Sequence, residues 1–95
     1  MHYFVGGVYA KKTLIPAGAE LAQHAHSHDH MSILASGAVV LTVDGEASTW
    51  EAPACITVRA GARHAVRALT DAVWFCVWPS DADDTPGNVD ARLLA

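Results

Sequence analysis

The chain has 95 residues, of which 52% are hydrophobic and 17% are charged. This length predicts a single domain, near the lower size at which one core holds a fold. The formal net charge of −4 at pH 7 argues against nucleic acid or an anionic membrane as the main partner, because both favour a basic surface. So high an apolar fraction in so short a chain also predicts that some apolar surface is buried in an oligomer.

The first residues show no targeting signal. Residues 1–6 lack the basic start and the long apolar segment of a signal peptide. No apolar run approaches the ~20 residues that a membrane-spanning helix needs. We therefore expect a cytoplasmic protein without a membrane partner.

Short apolar runs separated by turn residues predict an all-β chain. Breaks at Pro16, at Gly37 and at Asp44-Gly45 divide the runs, and Asp-Gly is typical of a hairpin turn with positive φ at both central residues. No helical periodicity of useful length is present. Seven or eight strands at this spacing indicate a small sandwich or barrel; they are predicted at 8–15, 20–26, 31–35, 38–43, 46–51, 55–58, 64–69 and 73–78.

The composition changes after the last predicted strand. Residues 79–95 begin with a polar stretch rich in aspartate and proline, followed by a short apolar segment at 89–94. We interpret this region as a solvated acidic tail with a marginal helix or strand. A lid over the mouth of the barrel, or an arm that contacts a second subunit, is the alternative interpretation.

Four of the six histidines lie within residues 24–30. On an extended strand, His24 and His26 project to one side about 7 Å apart, close enough for both imidazoles to reach one metal ion. His30 has the same parity and could return to the ion if the chain bends after Ser27, and His64 could reach it from a neighbouring strand. The competing interpretation is a solvated histidine-rich loop, with His64 an ordinary core or surface residue.

The spacing around these histidines resembles the first motif of the cupin superfamily. Gly18 is followed after five residues by His24-Ala25-His26, after three more by His30, and after six more by Gly37. The family usually has glutamate where this chain has His30.

The second motif is matched in part. Gly61 and His64 stand at the family's glycine and histidine positions, whereas Arg59 and Ala68 replace its proline and asparagine. Over residues 13–78 the chain therefore resembles a small, single-domain, RmlC-like cupin, with an antiparallel β-barrel or jelly roll.

The resemblance implies a metal site and a tendency to form homodimers. It carries over four ligands, His24, His26, His30 and His64, and leaves His28 beside them or in solvent. Imidazole ligands suit Fe, Ni, Cu or Zn. The implied functions are a metalloenzyme of dioxygenase, isomerase or lyase type that acts on a small organic substrate, or a non-catalytic metal-binding, ligand-binding or structural module. A third alternative is that the histidines persist without a metal role. No catalytic residue is assigned, although His28 is the nearest candidate base by sequence.

Several other residues allow simpler interpretations. Cys55 and Cys76 lie in strand-like runs and are predicted to be buried, inert thiols, with a disulfide or a thiol near the metal as the alternative.

Arg63 and Arg67 should point away from the side that His64 uses. The three tryptophans, at positions 50, 74 and 78, are predicted in the core or in an interface. Strand parity alone does not decide whether Trp78 or Phe75 lines the pocket.

Overall fold

The computed structural model describes residues 1–23, 29–80 and Gly87, and these residues form nine β-strands. The strands are β1 (His2–Val5), β2 (Val8–Ile15), β3 (Glu20–Gln23), β4 (His30–Ser36), β5 (Ala38–Val43), β6 (Glu46–Glu51), β7 (Ala54–Val58), β8 (His64–Ala68) and β9 (Ala72–Pro79).

The strands pair antiparallel in two sheets. One sheet has the order β1-β2-β9-β4-β7 and the other has the order β3-β8-β5-β6. Buried side chains from both sheets form one core between them, as in a β-sandwich. The core is built from Tyr9, Ile15, Leu34, Val39, Leu41, Ile56, Val66, Ala68, Ala72, Trp74, Cys76 and Trp78. The predicted all-β, jelly-roll class is confirmed.

Alternation along each strand decides which side chains enter this core. On β8, His64, Val66 and Ala68 are buried, whereas Arg67 is exposed. Arg63, just before the strand, is exposed too. The prediction that Arg63 and Arg67 turn away from the side of His64 is therefore confirmed.

Strand bounds follow the sequence closely where turn signals are clear. The predicted strands at 8–15, 38–43 and 46–51 match β2, β5 and β6, and the turn at Asp44 and Gly45 has φ values of 48° and 86°. β1 was not predicted, and β9 continues through Pro79, so the predicted tail begins inside a strand. The second half of the predicted strand 20–26 lies outside the described residues, as does the segment 89–94.

The cysteines divide between the two faces of the first sheet. Both are free thiols, with Cys76 buried and Cys55 exposed. The prediction of burial is thus wrong for Cys55, because it alternates with the buried Ile56 and Val58 along β7 and takes the outer face. In the described part of the chain, no helix is long and apolar enough to cross a membrane.

Candidate metal centre

Two histidines from different sheets meet at one end of the sandwich. His30 is the first residue of β4 and His64 is the first residue of β8. Their side chains are buried, with 5% and 4% of the residue surface exposed. The ring centroids are 5.7 Å apart and the ring planes are inclined by 46°. The fold therefore brings together two residues that the sequence places far apart.

Strand register fixes where each histidine lies. His64 is paired with Gln23 of β3 on one side and with Val43 of β5 on the other. His30 is paired with Val58 of β7. Each imidazole thus extends from backbone held in a sheet, which limits how far the ring can move.

A reciprocal backbone clamp lies next to His64. The amide of Arg63 donates to Oδ1 of Asp44 at 3.0 Å, and the amide of Asp44 donates to the carbonyl oxygen of Arg63 at 2.9 Å. Asp44 is available for this because the hairpin turn between β5 and β6 places it in the left-handed region. The hairpin therefore holds the residue that immediately precedes a predicted ligand.

A second contact links the residue before His30 to the loop before His64. Oδ1 of Asp29 accepts a hydrogen bond of 2.6 Å from the amide of Ala60. Oδ2 of Asp29 lies 3.9 Å from Nη1 of Arg59, but both side chains are well exposed. An ion pair this long and this exposed contributes little, so the bond to Ala60 is the contact that joins the two segments.

An aromatic wall closes one side of the histidine pair. The ring of Trp78 lies 4.8 Å from that of His30, centroid to centroid, and Tyr9 stacks on Trp78 at 5.5 Å. Both ring nitrogens of His30 and Nδ1 of His64 are shielded from solvent. Alternation along β9 places Trp78 on the inner face and Phe75 on the other, half-buried face. Trp78, rather than Phe75, therefore lies beside the histidine pair.

The geometry of the pair is compatible with a shared metal ion. With nitrogen–metal bonds of roughly 2.0–2.1 Å, two imidazoles on one ion have centroids about 4.5 Å apart at a right angle and about 5.5 Å apart at 120°. The observed 5.7 Å is close to the upper value. Neutral imidazoles are also a donor type that transition metals prefer.

The other predicted ligands are not among the residues that the structure describes. His24 and His26 fall in the range 24–28, outside the described chain, as does His28, which was not predicted to be a ligand. Within the described residues, no three side chains from His, Cys, Asp and Glu come together as a metal-binding group. Of the four predicted ligands, the structure thus brings together His30 and His64.

Three residues near the site were not anticipated from the sequence. Asp29 and Asp44 hold the loops beside His30 and His64, and Tyr9 supports Trp78. The Asp-Gly turn predicted the conformation of Asp44 but gave no indication of its contact with Arg63. Such contacts depend on how distant segments meet in three dimensions.

Comparison with solved structures finds the same fold. A cupin 2 domain-containing protein from Halorhodospira halophila is 15% identical, with a TM-score of 0.72 over 92% of this chain and 64% of that one. An RmlC-like cupin with a double-stranded β-helix fold from Methanocaldococcus jannaschii is 17% identical, with a TM-score of 0.67 over 76% of this chain and 69% of that one. The chain thus spans about two thirds of the length of each protein.

One similar structure is that of an enzyme. Salicylate 1,2-dioxygenase from Pseudoaminobacter salicylatoxidans, in complex with gentisate, is 18% identical, with a TM-score of 0.73. The match covers 81% of this chain but only 24% of the dioxygenase. At these identities the structural likeness establishes the fold alone.

Sequence comparison establishes the family. No curated protein is a significant match. The family model for the cupin domain matches residues 12–78, well over half of the chain and nearly the segment on which the two motifs lie. The chain therefore belongs to the cupin family.

Proposed function

We propose that the protein is a small metal-binding cupin in which His24, His26, His30 and His64 hold one divalent transition metal ion, Fe, Ni, Cu or Zn. The observation that carries the proposal is the burial of His30 and His64 side by side at the starts of strands from two sheets. A neutral imidazole binds a transition metal ion through a ring nitrogen. Two such rings, held by strands of different sheets, lie close enough to share one ion.

The donor set favours an anionic ligand on the metal. Four neutral imidazoles leave the charge of a divalent ion uncompensated, whereas the usual cupin set with one glutamate lowers it by one. A carboxylate or an enolate should therefore bind more strongly than a neutral group. When bound, the ion supplies Lewis acidity or oxygen activation.

The surrounding residues provide orientation and exclusion of water. Trp78 covers one side of His30, while Asp44 and Asp29 hold the loops from which the two histidines extend. We propose on this basis an enzyme that acts on a small oxygenated organic molecule, of dioxygenase, isomerase or lyase type. We assign no general base to this chain.

A non-catalytic module is the second candidate, and the density of the core favours it. Trp78 and Tyr9 are buried in a stack next to His30, so the interior on that side of the histidines is occupied by side chains. In that case the metal would fix the sandwich or hold a small ligand without turnover. A closed tetrahedral shell of four histidines would leave no position for a substrate.

Metal content per chain tests the proposal. Because the four histidines are proposed to hold one ion, we expect untagged protein to contain about one transition metal ion per chain. Both His64→Ala and His26→Ala should lose that ion. His2→Gln is the matched control, because His2 lies on β1 and outside the proposed ligand set; it should keep its metal. Metal retained in His64→Ala would overturn the joined site.

Turnover separates the two candidates once metal binding is established. The loaded protein would be incubated with small oxygenated acids and diketones, and oxygen uptake and products would be measured. Metal-dependent product that disappears in His64→Ala supports the enzyme. Metal binding without product, together with a four-coordinate zinc ion in X-ray absorption spectroscopy, supports the structural module.

A further inference from the structure

A row of aromatic rings connects the candidate metal centre to the N-terminal strand. His30 lies 4.8 Å from Trp78, and Trp78 lies 5.5 Å from Tyr9 with the two planes only 13° apart. His2 then stacks on Tyr9 at 5.7 Å with an interplanar angle of 17°. We call His30, Trp78, Tyr9 and His2 the aromatic row. Electron tunnelling falls off exponentially with distance, so neighbouring rings in near contact exchange electrons faster than separated ones.

The row ends in a phenol that contacts a base. The Tyr9 hydroxyl and Nδ1 of His2 are 2.6 Å apart, and the hydroxyl donates when the imidazole is neutral with its proton on Nε2. Tyr9 itself is 0% exposed. Oxidation of a phenol makes its proton strongly acidic, and a base already in a short hydrogen bond can accept that proton as the electron leaves.

We propose that Tyr9 and His2 form a redox site, in which Tyr9 loses one electron through Trp78 and its hydroxyl proton passes to His2. The oxidant would be an oxidised iron or copper ion held at the candidate metal centre by His30 and His64, which would take up that electron; zinc, which is not redox-active, would not serve. The O–H bond of Tyr9 breaks, an N–H bond forms at Nδ1 of His2, and the products are a neutral tyrosyl radical and an imidazolium. A soluble one-electron reductant of the ascorbate type returns the electron, and His2 returns the proton.

The packing around Tyr9 suits this role. Phe4 stacks on the phenol ring at 4.9 Å, and Trp78 lies against the same residue from the side of the metal centre. A radical on Tyr9 would therefore be shielded from solvent and from other chains. The site would draw oxidising equivalents away from the histidine ligands, which are themselves sensitive to oxidation.

A purely structural bond is the competing explanation. A buried tyrosine hydroxyl usually has a hydrogen-bond partner, but a carbonyl oxygen would meet that need without a base. In the structural explanation, Trp78 only fills the core between Tyr9 and His30. The two explanations differ in how fast and how completely an oxidising equivalent reaches Tyr9.

Flash photolysis of metal-free protein distinguishes them. An ultraviolet pulse ejects an electron from tryptophan, nitrous oxide converts the hydrated electron to hydroxyl radical, and excess tert-butanol removes that radical. Transient absorption then follows the tryptophan radical and the tyrosyl radical. We expect the tyrosyl signal to grow as the tryptophan signal decays, at a rate independent of protein concentration. The oxidant in the cell rests on the proposed function, but this test needs no metal, so its failure is distinguishable from failure of the metal site.

Matched variants identify the route. The chain has two tyrosines and three tryptophans, so Tyr9→Phe is compared with Tyr3→Phe, and Trp78→Phe with Trp50→Phe. We expect Tyr9→Phe to lose most of the tyrosyl signal and Trp78→Phe to slow its growth by an order of magnitude, with little change in the two controls. His2→Gln keeps an acceptor but not a base, and should lose most of the radical yield.

Three results would overturn the proposal. The radical would be on the exposed Tyr3 if Tyr3→Phe, rather than Tyr9→Phe, removed the signal. An unchanged rate in Trp78→Phe would remove Trp78 from the route. An unchanged yield in His2→Gln would reduce His2 to a structural partner, and this variant keeps both Tyr9 and Trp78 in place if the other substitutions impair folding.

Discussion

The two ends of the sandwich close in different ways. At the end where β4 and β8 begin, which we call the histidine end, the buried side chains include His30 and His64. At the opposite end, the glycine end, the turn after β4 meets the turn before β9 at Gly37 and Asp71. One end therefore holds groups that are costly to bury, and the other is closed by backbone contacts.

Hydrogen bonds between loops close the glycine end. The amide of Leu69 donates to the carbonyl oxygen of Ala38 at 2.8 Å, and the amide of Ala38 donates to Oγ1 of Thr70 at 3.1 Å. Oδ1 of Asp71 accepts from the amide of Ala17 at 2.8 Å. These contacts provide hydrogen-bond partners for backbone groups in the turns, where the chain has left the sheets.

The difference between the ends predicts different sensitivities. Substitutions at the glycine end should change the free energy of unfolding whether or not a ligand is present. Substitutions at the histidine end should act mainly on stability gained from metal, because sites of function often carry groups that do not stabilise the fold by themselves.

The largest effect is expected for Gly37→Ala. Gly37 has a φ of 88°, and an added Cβ would meet the carbonyl oxygen of Asp71 and lie 2.9 Å from Cα of Ala72. We expect a loss of roughly 2–5 kcal/mol in the free energy of unfolding, from about 1–2 for the left-handed conformation and about 1–3 for overpacking. Chemical denaturation measures it.

Gly18→Ala is the matched control at the same end. Gly18 has a similar φ of 81°, but nothing lies within 4 Å of an added Cβ. It should therefore lose only the conformational part, about 1–2 kcal/mol. Equal losses in the two variants would mean that the close approach of Gly37 to β9 contributes nothing.

The next effect concerns the histidine end and metal. Metal at about 100 times its dissociation constant should stabilise the protein by about 2.7 kcal/mol, which raises Tm by more than about 10 °C in a domain of this size. His64→Ala should abolish the shift, because it removes a proposed ligand, whereas Gly18→Ala should keep it. If metal raised the Tm of His64→Ala as much as that of the parent, the stability gained from metal would not depend on the histidine end.

The features predicted well from the sequence are those that depend on local patterns. The Asp44-Gly45 turn signal and the apolar runs on either side of it predicted β5 and β6 with the bounds that the structure shows. The placement of His30 near His64 was predicted too, but from the spacing of the cupin motifs, because nothing in the local pattern relates β4 to β8.

Other features required the three-dimensional register. β1 was missed because three of its four residues are exposed and its apolar side chains do not alternate. Trp78 and Phe75 have opposite parity on one strand, and only the packing of the two sheets against each other shows which face is the interior. Cys55 was misplaced because an apolar run does not reveal that alternate residues of a strand face outward.

A smaller effect is expected for Asp71→Ala at the glycine end. The substitution removes the acceptor for the amide of Ala17, and one hydrogen bond contributes about 0.5–1.5 kcal/mol. Thermal unfolding measures the loss, and metal affinity should not change. Asp71→Asn keeps an acceptor oxygen and should lose less, so an equal loss in both variants would show that the negative charge, rather than this bond, stabilises the turn.

The smallest effect is expected for Asp29 at the histidine end. Asp29→Ala removes the 2.6 Å bond to the amide of Ala60 and frees the loop before His64 from the residue before His30. If the bond contributes about 0.5–1.5 kcal/mol to holding the two ligands in place, metal affinity falls by about 2- to 12-fold. Titration with the metal identified by elemental analysis measures it.

Arg59→Ala separates this bond from the ion pair at the same carboxylate. The pair is 3.9 Å long, with 80% and 56% of the two side chains exposed, and exposed pairs contribute about 0–1 kcal/mol. Metal affinity in Arg59→Ala should therefore stay near that of the parent, and Asp29→Asn, which keeps an acceptor for Ala60, should stay closer to it than Asp29→Ala. If Arg59→Ala instead weakened binding as much as Asp29→Ala, charge rather than loop geometry would connect Asp29 to the site.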